Sequence, residues 1–507
     1  MTGEQSESVV VLGAGIAGLC AALALAPTGR QITLLERDAP PPAGDAAAVF
    51  DGWRRRGASQ LRHSHAFLAR LRKLIAVEHP ALLEALLAAG ARELRFVDGL
   101  PETIRARYRS DPQDAEMAIV VSRRTTMEMV IRRYVEASAN VTIRSGVFVE
   151  GLVSACDAAS VLTARGFRLE GGETVLADLV IDAGGRRSPA EAWLAETGAV
   201  VPETGEDCKI LYYTRFYAFE PGQSDPPRGR YAGNGDLGYL KFGVFPADNG
   251  TFSITVAVPE VEEALRVAVV DPERFDAICA RLPGLAAWID PERARPVSKI
   301  YAMGDLKSRW REMAPEGRPA ILAYFSIGDS LVRTNPLYGR GCSFAAIEAH
   351  LLRDVLAESA DPAQRARAYS ERVRATLQPF YEDMLTQDRA AARRAEHGLD
   401  PDYRPRLRAR LMRRFVEDGV GVAVRKHPEL FRAAMRAFHM LEPPRAWLGR
   451  PSAMLKVFVA LARGRKANAR FYAPKPGPPR LEMFAALGLP AAADLARVKA
   501  ARLEAEA

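Results

Sequence analysis

Three glycines near the start of the chain have a spacing that can hold a pyrophosphate. Gly13, Gly15 and Gly18 form GxGxxG. The first permits a tight turn, the second lets backbone approach a phosphate with no Cβ in the way, and the third allows close packing of the helix that follows. A helix starting there presents free N–H groups and the positive end of its dipole to an anion. Glu36 lies 18 residues after Gly18, where a carboxylate can accept hydrogen bonds from a ribose. The chemistry implied is dinucleotide binding. A second stretch, residues 320–352, ends an apolar run at Gly328-Asp329 and passes through Asn335-Pro336-Leu337-Tyr338-Gly339-Arg340-Gly341 into a helical pattern from Ser343. Asp329 can reach a sugar hydroxyl, and the helix N-terminus points back at the loop. Other chemistries find little support. His63 and His65 stand at i, i+2, which is not one helix face, and no Cys or Asp cluster joins them, so no metal is expected. There is no Ser–His–Asp constellation and no nucleophile elbow.

These residues require a strand before the turn, a helix after it and a second strand. Residues 9–26 run 18 positions without a charge, long enough to be taken for a membrane helix. Their internal order argues otherwise. Val9-Val10-Val11-Leu12 is short and β-branched, like a buried parallel strand. Residues 19–26 are rich in Ala and Leu, Pro27 and Gly29 stop the helix, and residues 31–36 start a strand. Residues 320–327 read as a strand and 343–352 as a helix. Residues 208–219, 239–245 and 251–258 alternate with period two, the last two flanking the hairpin signal Asp248-Asn249-Gly250. Tyr212, Tyr213, Phe216 and Phe242 are candidates to line a pocket. From Tyr381 onward the pattern is helical and Arg-rich.

The GxGxxG at the N-terminus, with Glu36 followed by Arg37-Asp38, resembles the FAD-binding start of the glutathione-reductase-like flavoproteins. GDS-x3-TNPLYGRG (residues 328–341) resembles the second FAD segment of the para-hydroxybenzoate-hydroxylase-like flavin monooxygenases, nearest the branch of the polyether-type flavin epoxidases. GASQLRHSHAFL (57–68), VSRRTTMEMVIR (121–132), ADLVIDAGGRRS (177–188) and EPPRAWLGRP (442–451) are similar to further segments of that branch, in the same order. The resemblance implies an α/β fold: a glutathione-reductase-like FAD-binding domain with an inserted β-sheet substrate domain and a helical C-terminal region. The expected divisions are 1–205 and 296–390 for the FAD domain, 206–295 for the substrate domain and 391–507 for the helical region. It implies FAD contacts from Gly13, Gly15, Gly18, Glu36, Arg37, Arg123, Asp182, Gly328, Asp329, Pro336, Gly339 and Gly341, with His63, His65 and Cys342 near the flavin. The implied activity is monooxygenation, hydroxylation or epoxidation, through a C4a-hydroperoxyflavin, of an apolar aromatic or alkene substrate. The flavin carries the chemistry, so no acid–base dyad is demanded. An oxygen-independent reductase of the geranylgeranyl-reductase type and a non-catalytic FAD-binding protein are the alternatives. Gly184-Gly185 stands where the aromatic hydroxylases carry Asp-Gly. The electron donor is therefore either NAD(P)H or reduced flavin from a separate flavin reductase. The five tryptophans (Trp53, Trp193, Trp288, Trp310, Trp447) are isolated, which argues against a halogenase of the WxWxIP type.

Composition sets the outer limits. With 507 residues, 48% hydrophobic and 26% charged, the chain is globular and long enough for two to four domains. Five cysteines without a close pair fit a reducing compartment, and the polar start MTGEQSES does not read as a signal peptide, so the expectation is cytoplasmic. The net charge of +8 is uneven: residues 391–507 hold 24 Lys+Arg against 11 Asp+Glu. A basic region with apolar helical stretches could rest on anionic lipid or meet an acidic partner, giving possible peripheral membrane contact. No nucleic-acid-binding pattern occurs.

Overall fold

The computed structural model describes residues 7–58, 60–156, 161–400, 402–491, 494 and 496; the polar residues 1–6 read above lie outside these. In chain order, the strands that frame the site are β1 (Ser8–Leu12), β2 (Gln31–Glu36), β3 (Val141–Ser145), β4 (Leu179–Asp182), β5 (Ile210–Phe219), β6 (Lys241–Pro246), β7 (Thr251–Pro259) and β8 (Tyr324–Ser326). The helices are α1 (Ile16–Leu25), α2 (Arg124–Glu136), α3 (Gly341–Glu358), α4 (Pro362–Leu399), α5 (Leu407–Arg414), α6 (Val422–Lys426) and α7 (Pro451–Ala467).

A wholly parallel sheet runs β8-β4-β1-β2-β3. Helices cover such sheets on both faces, which explains the unbroken apolar run in β1, where Val9, Val10 and Val11 are all buried. α1 packs on α3, so the two Gly-rich segments, more than 300 residues apart, meet at one end of the sheet. The uncharged residues 9–26 are split by the turn into β1 and α1. Among the described residues no helix is long and apolar enough to cross a membrane.

The second sheet is antiparallel, in the order Asn234–Asp236, β6, β7, β5, Ala294–Pro296, with Tyr301–Met303 also on β5. β6 and β7 form the expected hairpin, with Asn249 (φ 52) and Gly250 (φ 68) both left-handed, as a tight hairpin turn requires. Asp248 in this turn fastens the sheet to the rest of the molecule. Its carboxylate accepts the Arg123 N–H at 2.6 Å and the Thr126 hydroxyl at 3.0 Å, capping α2 from another sheet, and takes the Arg123 guanidinium at 2.6 Å.

The structure adjusts several sequence expectations. The strand expected over 320–327 is only Tyr324–Ser326, because Ala323 takes φ 56 and interrupts it. α3 starts at Gly341, not at Ser343. The expected divisions at 205/206, 295/296 and 390/391 each fall inside an element: strand Glu203–Asp207, strand Ala294–Pro296 and the 38-residue α4. The rise in basic charge near residue 391 is a change in what the helices expose, not a break in the backbone.

Candidate active site

The turn after β1 shows why glycine is needed at two positions. Gly13 has φ +92, and a Cβ on it would lie 2.8 Å from the Ala183 carbonyl oxygen. A Cβ on Gly18 would stand 1.9 Å from the Gly13 carbonyl oxygen. Gly15 differs: its φ is ordinary, and the nearest atom to a Cβ there is Arg55 Nη2 at 3.9 Å, so that Cβ would project into open space. That space is a continuous cavity of about 1570 Å³ lined by Gly13, Gly15, Ile16 and Ala17. No side chain caps the N-terminus of α1, and Gly15, Ile16 and Ala17 at that end line the cavity. Gly18 does not line the cavity; it acts through packing alone.

Glu36 lines the cavity but is already engaged. One oxygen accepts the Ala14 N–H at 2.8 Å and Arg55 Nη2 at 2.7 Å; the other accepts the Asp38 N–H at 2.9 Å. The carboxylate thus braces the Gly-rich turn first, and only its remaining lone pair is open to a sugar hydroxyl. Arg55 is buried among three carboxylates, Glu36, Asp38 and Glu128. Its sequence neighbours Arg54 and Arg56 are exposed, and Arg37 is exposed along the cavity edge.

The second segment approaches from the opposite side. Gly328 has φ +70 and donates its N–H to Glu348. Asp329 lines the cavity, with its pKa raised by burial against the pull of Arg333, Arg124, Arg309 and Arg186. Pro336, Gly339, Gly341 and Cys342 line the same wall. Burial pushes the Cys342 thiol up to about 11, so it is a neutral thiol. α3, like α1, lacks a side-chain N-cap, so two helix N-termini converge on one cavity. A network not foreseen from sequence holds this loop. Asn335 accepts from the Tyr212 hydroxyl at 2.5 Å and donates to Asp388 of α4 at 2.9 Å, and the Tyr338 hydroxyl donates to the same carboxylate at 2.8 Å. Nothing in the spacing points to Asp388, which lies 53 positions after Asn335.

The histidine segment packs on this loop: a Cβ on Gly339, which has φ +63, would lie 2.8 Å from the Ala66 methyl. His65 donates Nδ1–H to the His63 carbonyl at 2.9 Å, leaving Nε2 to accept from Arg124 at 3.2 Å, which fixes the neutral tautomer. Burial lowers the pKa of His65 to about 3, helped by Arg124, and that of His63 to about 4. His63 Nδ1 pairs with the Thr214 hydroxyl at 3.0 Å. Both rings line the cavity.

Two expected cofactor residues lie elsewhere. Arg123 does not reach the cavity, because its guanidinium is turned into the ion pair with Asp248 and stacks 4.9 Å over Phe50. Its neighbour Arg124, paired with Glu128 at i, i+4, is the one on the cavity wall. Asp182 is buried, accepting from the Gly184 N–H, the Ser188 hydroxyl and the Ser330 hydroxyl. It fastens the middle segment to the second one, and Gly184 and Gly185 present their backbone to the cavity instead.

The cavity continues onto the antiparallel sheet. Tyr212 and Phe242 line it. Tyr213 and Phe216 do not: Tyr213 faces the opposite side of β5, in the core beneath the sheet, while Phe216 is covered by Phe50 at 4.9 Å.

The sheet topology, the two converging turns and the sheet beyond them give a fold similar to that of solved flavin-dependent enzymes. Residues 11–69 match the NAD(P)-binding Rossmann-like domain family. The protein Rv3254 of Mycobacterium tuberculosis (strain ATCC 25618 / H37Rv) is 27% identical over 409 residues, covering 75% of this chain and 79% of its own. The flavin-dependent brominase Bmp2 superposes with a TM-score of 0.58 at 15% identity, covering 91% of this chain and 100% of its own. PqsL of Pseudomonas aeruginosa in complex with 2-aminobenzoylacetate superposes at 0.54 with 15% identity, covering 77% and 98%.

Proposed function

We propose that the protein is an FAD-dependent monooxygenase that hydroxylates or epoxidises a small, largely apolar molecule. The observation that carries this reading is the convergence of two uncapped helix N-termini on one cavity of about 1570 Å³. That volume exceeds the roughly 300–1,000 Å³ of an ordinary ligand pocket and suits a cofactor and a substrate together. The donor set fits FAD. Gly13, Gly15 and the α1 N-terminus would take the pyrophosphate, Glu36 and Arg37 the adenosine, and Asp329 the ribityl chain. The α3 N-terminus beyond Gly341 would favour the negative charge of the reduced ring.

The chemistry supplied by FAD, when bound and reduced there, would be activation of dioxygen, with one oxygen atom passing to the substrate and the other leaving as water. The chain's own part is to bind, orient and exclude water. The Asn335–Asp388 network would hold Pro336 to Gly341 in place, and neutral His65 would keep the Arg124 guanidinium directed at the cavity wall. Tyr212 and Phe242 of the sheet over residues 206–295 would supply an apolar surface for substrate. A small substrate agrees with PqsL having been seen with 2-aminobenzoylacetate. The test is reoxidation of the photoreduced, FAD-loaded protein. Rapid reoxidation by oxygen supports the oxygenase. Reoxidation only by an alkene favours the geranylgeranyl-reductase type, and a flavin that cannot be reduced favours the non-catalytic reading.

Two partner assignments rest on this reading. The electron donor is assigned to a separate flavin reductase, because Gly184-Gly185 offers no carboxylate to a nicotinamide. Peripheral contact with an anionic membrane is assigned to α5 and α7. They leave Leu407, Leu411, Met412, Leu455 and Phe458 exposed beside Arg408, Arg410 and Arg463. Co-sedimentation with phosphatidylglycerol vesicles, lost in Leu411→Glu/Phe458→Glu, tests it.

A further inference from the structure

Many cations of the C-terminal region are neutralised by acids. Arg432 pairs with Asp114, Arg436 with Glu116 and Glu442, Arg445 with Asp383, Arg465 with Asp418, and Lys456 with Glu429. Others, such as Arg408, Arg410 and Arg463, stand exposed without a carboxylate among the described residues, but one unpaired group is gathered at the edge of the cavity. Around the buried ring of Phe471 stand Arg470 at 4.7 Å, Lys426 at 5.6 Å and Arg107 at 5.7 Å from its centroid, while Arg425 donates to the Phe471 carbonyl at 3.0 Å. Among the described residues, none of these four cations has a carboxylate within 4 Å, although 43 such pairs occur in the molecule. The Lys426 ammonium is held below its usual pKa by burial and by the charges of Arg463, Arg107 and Arg470. Burial likewise lowers that of Arg425.

Arg425, Arg470 and Tyr472 line the cavity, and Arg105, Arg228 and Arg230 line it too. None of those further arginines has a carboxylate within 4 Å among the described residues. Of the acids at this end, Glu102 is exposed on the lining, Asp225 is paired with Arg92, Asp236 with Lys241 and Arg394, and Asp98 nearby with Arg95. This rim is built from the segment after Leu100, the 225–236 loop, α6 and residues 469–474, whereas the turn at Gly13–Gly18 and the loop at 328–341 belong to the parallel-sheet domain.

Crowding cations without counter-charges is unfavourable unless an anion completes the site. A single carboxylate needs one guanidinium fork, whereas a phosphoryl group offers more oxygens and more charge for several cations. We propose that this rim binds a phosphoryl group carried by the ligand whose apolar part lies along Tyr212, Phe242 and Trp288. The substrate class is then an apolar molecule with a phosphate or diphosphate handle. The inference builds on the reading of the cavity as a site for cofactor plus substrate.

The test is calorimetric titration of decyl diphosphate, decanoate and decanol, each into apo and FAD-loaded protein. Decyl diphosphate should bind at least tenfold more tightly than the other two, with an affinity that falls as salt rises. Arg425→Gln/Arg470→Gln should lose at least tenfold for decyl diphosphate only, while Arg367→Gln on the exposed face of α4 should lose nothing. Equal affinities for the three probes, or an unchanged double variant, would overturn the proposal. Phosphatidic acid vesicles form the second arm. If the double variant loses vesicle binding and the wild type ignores free decyl diphosphate, the phosphoryl group belongs to a lipid head. A protein that takes no FAD yet keeps the preference in its apo form would sink the cofactor reading and leave the rim standing.

Discussion

Gly15→Ala and Gly18→Ala add the same methyl group three residues apart and should fail in different ways. At Gly18 the Cβ would lie 1.9 Å from a backbone carbonyl, against an ordinary contact of 3.4 Å or more, so α1 or the turn must shift by roughly 1.5 Å. Backbone cannot rotate aside as a side chain can. Apo stability should fall by about 1–3 kcal/mol, the usual cost of overpacking, and FAD affinity should fall with it because the turn is displaced. At Gly15 the nearest atom is 3.9 Å away and the backbone angles suit any residue, so the apo protein should unfold as the wild type does. Its new methyl would occupy the space assigned to the pyrophosphate. A clash of about 1–3 kcal/mol there corresponds to a ~5–150-fold rise in the Kd for FAD. Urea denaturation of the apo proteins and fluorescence titration with FAD separate the two effects. Wild-type FAD affinity in Gly15→Ala would refute the placement of the pyrophosphate, and wild-type apo stability in Gly18→Ala would refute the packing argument.

Arg123→Ala should destabilise the protein by about 3–5 kcal/mol, because it leaves the Asp248 carboxylate buried without its cation. Oxygen reactivity per bound flavin should persist, and its selective loss would return Arg123 to the flavin. Asp248 has a lowered pKa: burial alone would raise it, and the hydrogen bonds and charge of Arg123 together with the Asn249 amide outweigh that. Its contribution should therefore be complete above the ordinary aspartate pKa and be lost as pH falls through the lower native value. Glu348 behaves oppositely: burial raises its pKa to about 8, so the native state keeps a proton that the unfolded chain releases near 4.5. Wild-type stability should fall as pH rises from about 4.5 to 8, and Glu348→Gln should flatten that slope in urea midpoints. NADPH or NADH alone should bleach the bound flavin slowly in anaerobic stopped flow, with an added flavin reductase restoring turnover. Fast bleaching by NADPH, accelerated by substrate, would refute the separate reductase and leave the oxygenase assignment intact.

The elements around the cofactor were legible because their constraints are local. β1, the turn and α1 are written in consecutive residues, and the Asp248-Asn249-Gly250 hairpin needs only its own left-handed positions. The choice between Arg123 and Arg124 was not legible in the same way. It depends on Asp248, 125 residues further on, which draws Arg123 away from the cavity. Asp182 and Asp388 likewise take their roles from partners that only the fold supplies. For Tyr213 the period-two pattern held further information, since Tyr212 and Tyr213 cannot face the same way; Phe216 shares the Tyr212 face and is shut out only by Phe50, which the spacing does not reveal. The division at 390/391 follows the change in charge, and charge reports what the surface exposes, whereas the backbone of α4 continues through residue 390.

The flavin that the purified protein holds, released by denaturation and separated by chromatography, tests the central claim most directly. The account predicts FAD, close to one per chain after incubation with excess cofactor. FMN as the only flavin retained, or no flavin after such incubation, would contradict it.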